Sequence, residues 1–279
     1  MTTLGFTILV ALLSFAAGLL GALTGLGGGV VLVPALALLF HVDIRYAIGA
    51  SLVSVIATSS GAAAAYVREG YSNIRIGMFL EIATTIGALV GAFLATRVTT
   101  PTIAILFGAT LLYSAYQSFF EASEEQDVLV HQDALATRLK LNGDFPGPRS
   151  RIRYCVRNVP WGFSLMFGAG ALSGLLGIGS GAVKVLAMDR VMHIPFKVST
   201  TTSNFMIGVT AAASAGVYLR RGYIDPGVAM PVMLGVLAGA LVGARILTTI
   251  SVRFLRRFFA IVIFALAIEM IFSGITGRI

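Results

Sequence analysis

The sequence predicts an all-α polytopic membrane protein made of two inverted five-segment repeats, and three observations support this fold class. Of the 279 residues, 57% are hydrophobic and only 11% are charged. The apolar residues fall into ten segments, and the second five segments repeat the first five. A soluble domain carries about 25% charged residues, so this chain has too few charges to cover a water-facing surface. In lipid, backbone polar groups must be satisfied within each segment, which favours helices.

Most of the apolar segments are long enough to cross a bilayer, but two are not. The predicted segments are residues 4–23, 28–40, 47–66, 74–96, 101–120, 159–176, 181–192, 199–219, 226–249 and 254–273. The short segments, 28–40 and 181–192, each follow a glycine cluster. At about 1.5 Å per residue, neither spans a hydrocarbon core of about 30 Å as a straight helix. Whether they span the membrane or re-enter it stays open at this point.

A polar stretch divides the chain. Residues 121–157 are mixed in charge and interrupted by Pro and Gly, which is typical of a linker. We therefore predict a first transmembrane repeat at 1–120, a charged cytoplasmic linker at 121–157 and a second transmembrane repeat at 158–279. No Lys or Arg precedes the first apolar run, so we expect a retained span rather than a signal peptide. The single cysteine excludes an intrachain disulfide, and no metal or cofactor is expected.

The two halves match without gaps at a fixed offset of 152 residues, as from His41 to His193. The other matched pairs include Gly25 with Gly177, Ser51 with Ser203, Thr58 with Thr210, Gly87 with Gly239, and Gly91 with Gly243. Chance similarity between apolar segments would not keep one register through the loops. Secondary transporters are often built from two such repeats, with broken helices forming a site at their interface.

The number of segments and the charges predict the topology. Five crossings per half would insert the second half upside down relative to the first. The net charge of +8 lies mostly in the linker and in short loops, which indicates membrane orientation rather than nucleic-acid binding. Its distribution favours a cytoplasmic linker with both termini outside. If the two short segments fold back as re-entrant hairpins, the repeats would instead be parallel, and we favour the inverted arrangement.

The glycine clusters Gly25–Gly29 and Gly177–Gly181 are the first candidate site. A glycine-rich break before a helix directs free N–H groups and a positive dipole end at one place. Two such breaks facing each other near the midplane would hold a small anion. Close helix packing is the alternative reading, and we prefer it for Gly87 and Gly91. We accordingly expect Gly28→Ala to impair transport more than Gly87→Ala.

Two of the ionisable residues within apolar segments, Lys184 and Glu81, are candidates for a function. Lys184 follows the second glycine cluster, and a lysine within a span is costly unless it has a partner or a function. A bound anion would be such a partner, whereas snorkelling to the interface or pairing with Asp189 are the alternatives. We expect Lys184→Met to leave folding intact and to weaken anion binding. Glu81 is a candidate for proton coupling.

Hydroxyl and amide side chains suit an oxyanion because they donate hydrogen bonds without adding charge. Hydrogen bonding between helices is an equally good account of any one of them. The predicted substrate-binding residues are Gly27, Gly28, Gly29, Gly179, Ser180, Gly181, Lys184, Ser51, Ser203 and Asn204.

An intramembrane serine protease is a remote alternative. Gly179-Ser180-Gly181 is similar to a nucleophile loop, and His193 is available as a base. Gly28 occupies the place of Ser180 in the first repeat, so the motif does not require a hydroxyl. We therefore predict that the chain is not an enzyme.

Together these motifs resemble the sulfite exporter TauE/SafE family over nearly the whole chain outside the linker. The resemblance rests on both glycine clusters, Pro34, the Tyr66–Tyr71 loop and the paired Gly-Ala-Leu-Val-Gly-Ala segments. The chain departs from the family in its unusually long charged linker and in Ser180, which stands where the first half has Gly28.

The resemblance implies a multi-pass protein of the prokaryotic inner membrane. Such a protein would export small sulfur-containing anions such as sulfite, sulfoacetate or related sulfonates, coupled to an ion or proton gradient. The expected partners are this small anionic substrate and the lipid bilayer, with no nucleic acid, and a homodimer is compatible with this reading. An anion channel and an importer of a small carboxylate or sulfur anion remain alternatives.

Overall fold

A computed structural model describes residues 3–24, 28–69, 72–119, 133–146, 151–246 and 252–278. The first half contains α1 (Thr3–Thr24), α2 (Gly29–Leu39), α3 (Ile44–Glu69), α4 (Ile74–Ala95) and α5 (Thr100–Phe119). The linker contains α6 (Ala134–Arg138), β1 (Gly143–Pro146) and β2 (Arg151–Tyr154). The second half contains α7 (Val159–Leu176), α8 (Gly181–Leu186), a π-helical turn (Ala187–Val191), α9 (Phe196–Arg220), α10 (Pro226–Ile246) and α11 (Val252–Thr276).

Each predicted apolar segment overlaps helical structure in the described part of the chain, as expected for a helical membrane protein. By length and composition, four helices of the described residues could cross a membrane: Leu4–Gly21, Ile74–Ala95, Val159–Leu176 and Pro226–Gly243. The segment 181–192 is not a uniform α-helix, because α8 continues into the π-helical turn. Its counterpart α2 is an α-helix throughout and contains Pro34.

The loops that follow the two short helices share an unusual backbone conformation. His41 and His193 have φ angles of 53° and 55°, in the left-handed region that few non-glycine residues adopt. These residues are 152 positions apart, which is the offset between the two repeats. The repeat is therefore visible in backbone geometry as well as in residue identity.

Helices of one half pack against helices of the other in a reciprocal pattern. The first helix of each half contacts the fourth helix of the other, so α1 packs on α10 and α7 packs on α4. The third helices, α3 and α9, contact each other, and so do the fifth helices, α5 and α11. The two halves therefore share one extensive interface rather than forming separate bundles.

Small residues allow the backbones at this interface to approach closely and fix the helix directions. A Cβ added to Gly170 would overlap the backbone of Thr84, and one added to Gly174 would overlap the backbone of Ala88. The contacts advance in the same direction along both chains, so α4 and α7 run parallel. The corresponding contacts of α10 with α1 are Gly235 with Ala11 and Gly239 with Phe15.

The fifth helices run in opposite directions. A Cβ at Gly108 would approach Ala267, and one at Gly274 would approach Pro101. The contact position moves backward along α11 as it moves forward along α5, so these equivalent helices are antiparallel.

The linker contains a small folded unit that its polar composition did not predict. Strands β1 and β2 pair antiparallel, with Gly143 opposite Tyr154. Leu141, Phe145 and Tyr154 are buried in one apolar cluster with Ile76 at the start of α4. Asn73 caps α4 and donates from Nδ2 to the Tyr154 hydroxyl at 2.7 Å. Burial raises the pKa of Tyr154 to about 12.

Candidate functional site

The second glycine cluster forms a sharp break between α7 and α8. Gly177 and Gly179 have φ angles of 68° and 72°, and Ser180 has a φ of 45°. The left-handed conformation costs an ordinary residue about 1–2 kcal/mol, so Ser180 is held in a conformation that glycine would adopt more readily. The break reorients the chain within five residues and starts α8 at Gly181.

The first glycine cluster is only partly described. Gly25 and Gly27 lie outside the described residues, so the predicted role of Gly27 has no structural counterpart here. Gly28 has a φ of −65°, which any residue adopts, and Gly29 begins α2. The matched residues Gly28 and Ser180 therefore differ in backbone conformation.

The second break meets the start of α2 at the interface between the halves. Ser51 on α3 donates from Oγ to the carbonyl oxygen of Gly177 at 2.8 Å, and this contact is buried. A Cβ at Gly29 would lie 2.5 Å from Ser51 Oγ and 3.2 Å from the Gly177 oxygen. Only glycine fits at position 29 without displacing its neighbours. The start of the second break thus touches the start of α2 from the other half.

The far end of the second break contacts α9. Ser203 donates from Oγ to the carbonyl oxygen of Gly181 at 3.4 Å. A Cβ at Gly179 or Gly181 would press on Ile207 of the same helix. Asn204 is half-buried on α9. Ser51 and Ser203, which occupy matched positions in the repeat, therefore both bond to the second glycine cluster.

A small pocket opens beside Ser180. It is lined by Val30, Thr110, Ser114, Leu172, Ile178, Ser180, Gly181 and Val183. These residues come from α2 and α5 of the first half and from α7, the break and α8 of the second half. The Ser180 side chain is only 3% exposed, and its Oγ has no hydrogen-bond partner within the part of the chain that the structure describes. A buried hydroxyl without a partner is unusual and is available to a ligand.

Lys184 is completely buried and points toward α9. Its Nζ donates to Thr210 Oγ1 at 2.6 Å. Neither alternative from the sequence describes this arrangement, because the ammonium does not snorkel to the surface and Asp189 lies 3.7 Å from Arg190 instead. Lys184 is not among the residues that line the pocket beside Ser180, although its neighbour Val183 is.

Glu81 completes a buried polar chain with Lys184. The Thr210 hydroxyl lies 2.8 Å from Glu81 Oε1, which also accepts a hydrogen bond from Thr85 at 3.1 Å. Glu81 Oε2 has no hydrogen-bond partner within the described residues. The chain Glu81–Thr210–Lys184 joins α4 of the first half to α8 and α9 of the second. Thr210 is not among the substrate-binding residues predicted from the sequence, although it is the repeat match of Thr58.

The arrangement does not pair a nucleophile with a base. Ser180 Oγ has no hydrogen-bond partner among the described residues, and His193 lies on an exposed loop with Nδ1 3.1 Å from the Val191 carbonyl oxygen. A serine nucleophile needs a base within hydrogen-bond reach. The geometry therefore gives no support to the protease alternative.

Comparisons with known proteins identify the class. The chain is 27% identical over 279 residues to the probable membrane transporter protein YunE of Bacillus subtilis, covering 98% of this chain and 99% of that protein. It is also 27% identical to the probable membrane transporter protein YdhB of the same organism, covering 85% of this chain and 89% of YdhB. A probable membrane transporter protein of Xylella fastidiosa is 26% identical, over 94% of this chain and 92% of that protein. With its apolar helices, the protein is a membrane transporter.

The particular family follows from the same comparisons. The family model described as sulfite exporter TauE/SafE matches residues 10–270. The chain belongs to this family, which confirms the resemblance drawn from its glycine clusters and repeat. No solved structure matches the chain.

Proposed function

We propose that this protein is a secondary transporter that exports small sulfur-containing anions, such as sulfite or organosulfonates, across the prokaryotic inner membrane. The observation that carries the proposal is the contact of the second helix break with the start of α2, where Ser51 bonds to Gly177 beside Gly29. Transporters with repeats commonly place the substrate where broken helices of the two halves meet. The family description supports a sulfur-containing anion as the cargo.

The groups around the breaks suit an anion. α2 directs its N-terminal N–H groups toward the junction, and the unpartnered Ser180 hydroxyl can donate a hydrogen bond. Lys184, one turn beyond Gly181 on the face toward α9, supplies a full positive charge. Ser51, Ser203 and Asn204 complete the proposed surface, together with the predicted glycines of both clusters.

The helix directions support an inverted repeat. Equivalent helices α5 and α11 are antiparallel, whereas α4 runs parallel to α7, the first helix of the other half. A twofold axis lying in the membrane plane produces this combination, because it reverses every helix. In the proposed arrangement both short helices belong to broken crossings, the linker is cytoplasmic and both termini are outside.

Flux through the purified protein tests the function. We expect proteoliposomes containing the protein to transport sulfite or sulfoacetate faster than acetate, and a pH gradient to change the rate. Gly29→Val serves as the inactive control. It should abolish transport, because its branched side chain would overlap Ser51. Saturating transport that responds to the gradient supports a secondary transporter. Unsaturable flux independent of any gradient would indicate a channel, and inward transport only would indicate an importer.

A further inference from the structure

The buried chain of Glu81, Thr210 and Lys184 has no counterpart in the other half. The matched positions carry Met233, Thr58 and Leu32, so only the threonine is repeated. The repeat counterpart of this cluster thus packs its helices without any charged side chain. Burial of two ionisable groups on one side of a repeated structure indicates a function rather than a structural need.

The buried charges of Glu81 and Lys184 compensate each other. Lys184 is 0% exposed and Glu81 is 8% exposed, and each acts electrostatically on the other. Thr210 holds them together, because its hydroxyl oxygen accepts from Lys184 and lies 2.8 Å from Glu81 Oε1. With both groups ionised, the unit is neutral overall.

No other ionised group takes part in this balance within the described residues. α7, which packs against α4 and α8, has no ionisable side chain. On the π-helical turn, Asp189 and Arg190 pair with each other. Lys197 and Arg220 lie near the opposite ends of α9, and Arg75 at the start of α4 donates to the Lys140 carbonyl oxygen. Across α9, α3 carries Arg45, which bonds to the Ala95 and Val98 carbonyl oxygens.

An anion that binds to the Lys184 ammonium would leave the unit with one uncompensated negative charge. Burying such a charge is unfavourable, and one proton on Glu81 would restore neutrality. The Glu81 carboxylate can accept this proton at Oε2. Oε1 accepts hydrogen bonds from Thr210 and Thr85, whereas Oε2 has no hydrogen-bond partner within the described residues.

We propose that Glu81, Thr210 and Lys184 form one charge-compensating unit, in which binding of a small anion to Lys184 is linked to uptake of one proton at Glu81 Oε2. The proton comes from the solvent, and no bond other than the new O–H bond forms. Anion and proton therefore occupy the protein together and favour each other's binding. This inference rests on the proposed function and specifies how its site is coupled to protons.

Calorimetric titration of the purified full-length protein with ethanesulfonate measures the linkage. Ethanesulfonate stays ionised near neutral pH, so any proton taken up must bind to the protein. The titration is run in Bis-Tris and in imidazole buffers, because many common buffers are themselves sulfonates. Wild type should take up about one proton per anion, and its affinity should fall up to about tenfold per pH unit as the pH rises. Binding without proton uptake would overturn the inference while leaving the proposed function intact.

Variants separate the unit from general effects of substitution. Glu81→Gln should bind ethanesulfonate with no proton uptake and with an affinity that does not depend on pH. Thr210→Val should lower the proton uptake, whereas Thr58→Val, the same change at the matched position, should not. Thr58 bonds to carbonyl oxygens of its own helix, at Ser54 and Val55.

The remaining outcomes of these titrations also test the proposed unit. Persistent proton uptake in Glu81→Gln would overturn the assignment of the proton to Glu81. If Glu81→Gln does not fold, the comparison of Thr210→Val with Thr58→Val decides, and equal proton uptake in those two would count against the unit. Absence of any ethanesulfonate binding to wild type would reject the proposed sulfonate site, and the inference with it.

Discussion

Replacement of Lys184 by methionine should destabilise the protein strongly. The substitution keeps the side chain long and apolar but removes the charge that faces Glu81 through Thr210. The two charges are joined through Thr210 rather than by direct contact. Removing one of two buried charges that compensate each other costs up to about 3–5 kcal/mol, because the remaining charge stays buried without compensation. The expectation from sequence that Lys184→Met leaves folding intact therefore does not fit a side chain that is 0% exposed.

A double-mutant cycle tests this reasoning. Thermal unfolding of the purified protein should show a lower midpoint for Lys184→Met, and adding Glu81→Gln should recover a large part of the loss. Contacting residues in one network typically show coupling energies of about 0.5–3 kcal/mol. Leu32→Met is the matched control at the repeat-equivalent position, where a volume-conserving change should cost less than about 1.5 kcal/mol. Additive effects of the two charge changes would refute the account of a coupled pair.

Three further predictions concern packing, backbone and topology. Gly174→Ala should lower the unfolding midpoint, because its Cβ would overlap the Ala88 backbone. Gly168→Ala on the same helix should leave the midpoint unchanged, because its Cβ would meet nothing within 4 Å. Equal midpoints in the two variants would contradict the close packing of α7 on α4. Ser180→Gly should keep substantial transport, because Gly28 stands at the matched position, and should gain about 1 kcal/mol of stability from relief of its left-handed backbone. Complete loss of transport or a lower unfolding midpoint would contradict this prediction. A cysteine at position 147, in a background without Cys155, should react with an impermeant thiol reagent only from the cytoplasmic side; labelling from outside would reject the topology.

The helices could be predicted from the sequence because apolar runs are local patterns, and the repeat could be predicted because its matches keep one fixed offset. Each apolar run ends where polar residues begin, and the fixed offset between the halves needs no structural information. The matched left-handed backbones of His41 and His193 show that the sequence repeat extends to geometry. The family could also be recognised from the glycine clusters in the sequence.

The partners within the site could not be predicted, because they are distant in sequence. Thr210 lies 26 residues from Lys184 and 129 from Glu81, and no local pattern links them. The sequence identified Lys184 and Glu81 separately, from the cost of charges in apolar segments. Their connection depends on how α4 packs on α9.

Helix packing also changes the expected effects of glycine substitutions. The sequence predicts a larger effect for Gly28→Ala than for Gly87→Ala. A Cβ at Gly87 would overlap the Phe167 carbonyl oxygen, whereas one at Gly28 would lie 3.1 Å from a Val236 methyl group. Gly87→Ala should therefore disturb the fold more, and a comparison of the two must separate folding from transport.

Direct location of a bound sulfonate tests the central claim, that the anion site lies where the two helix breaks meet. Crystals of the protein grown with 2-bromoethanesulfonate would show the bromine by its anomalous scattering. We predict a single peak within the membrane-spanning part, between Gly29 and Ser180 and accompanied by contacts of the sulfonate to Lys184. A peak at a loop or in the linker unit, with none at the junction of the breaks, would contradict the account.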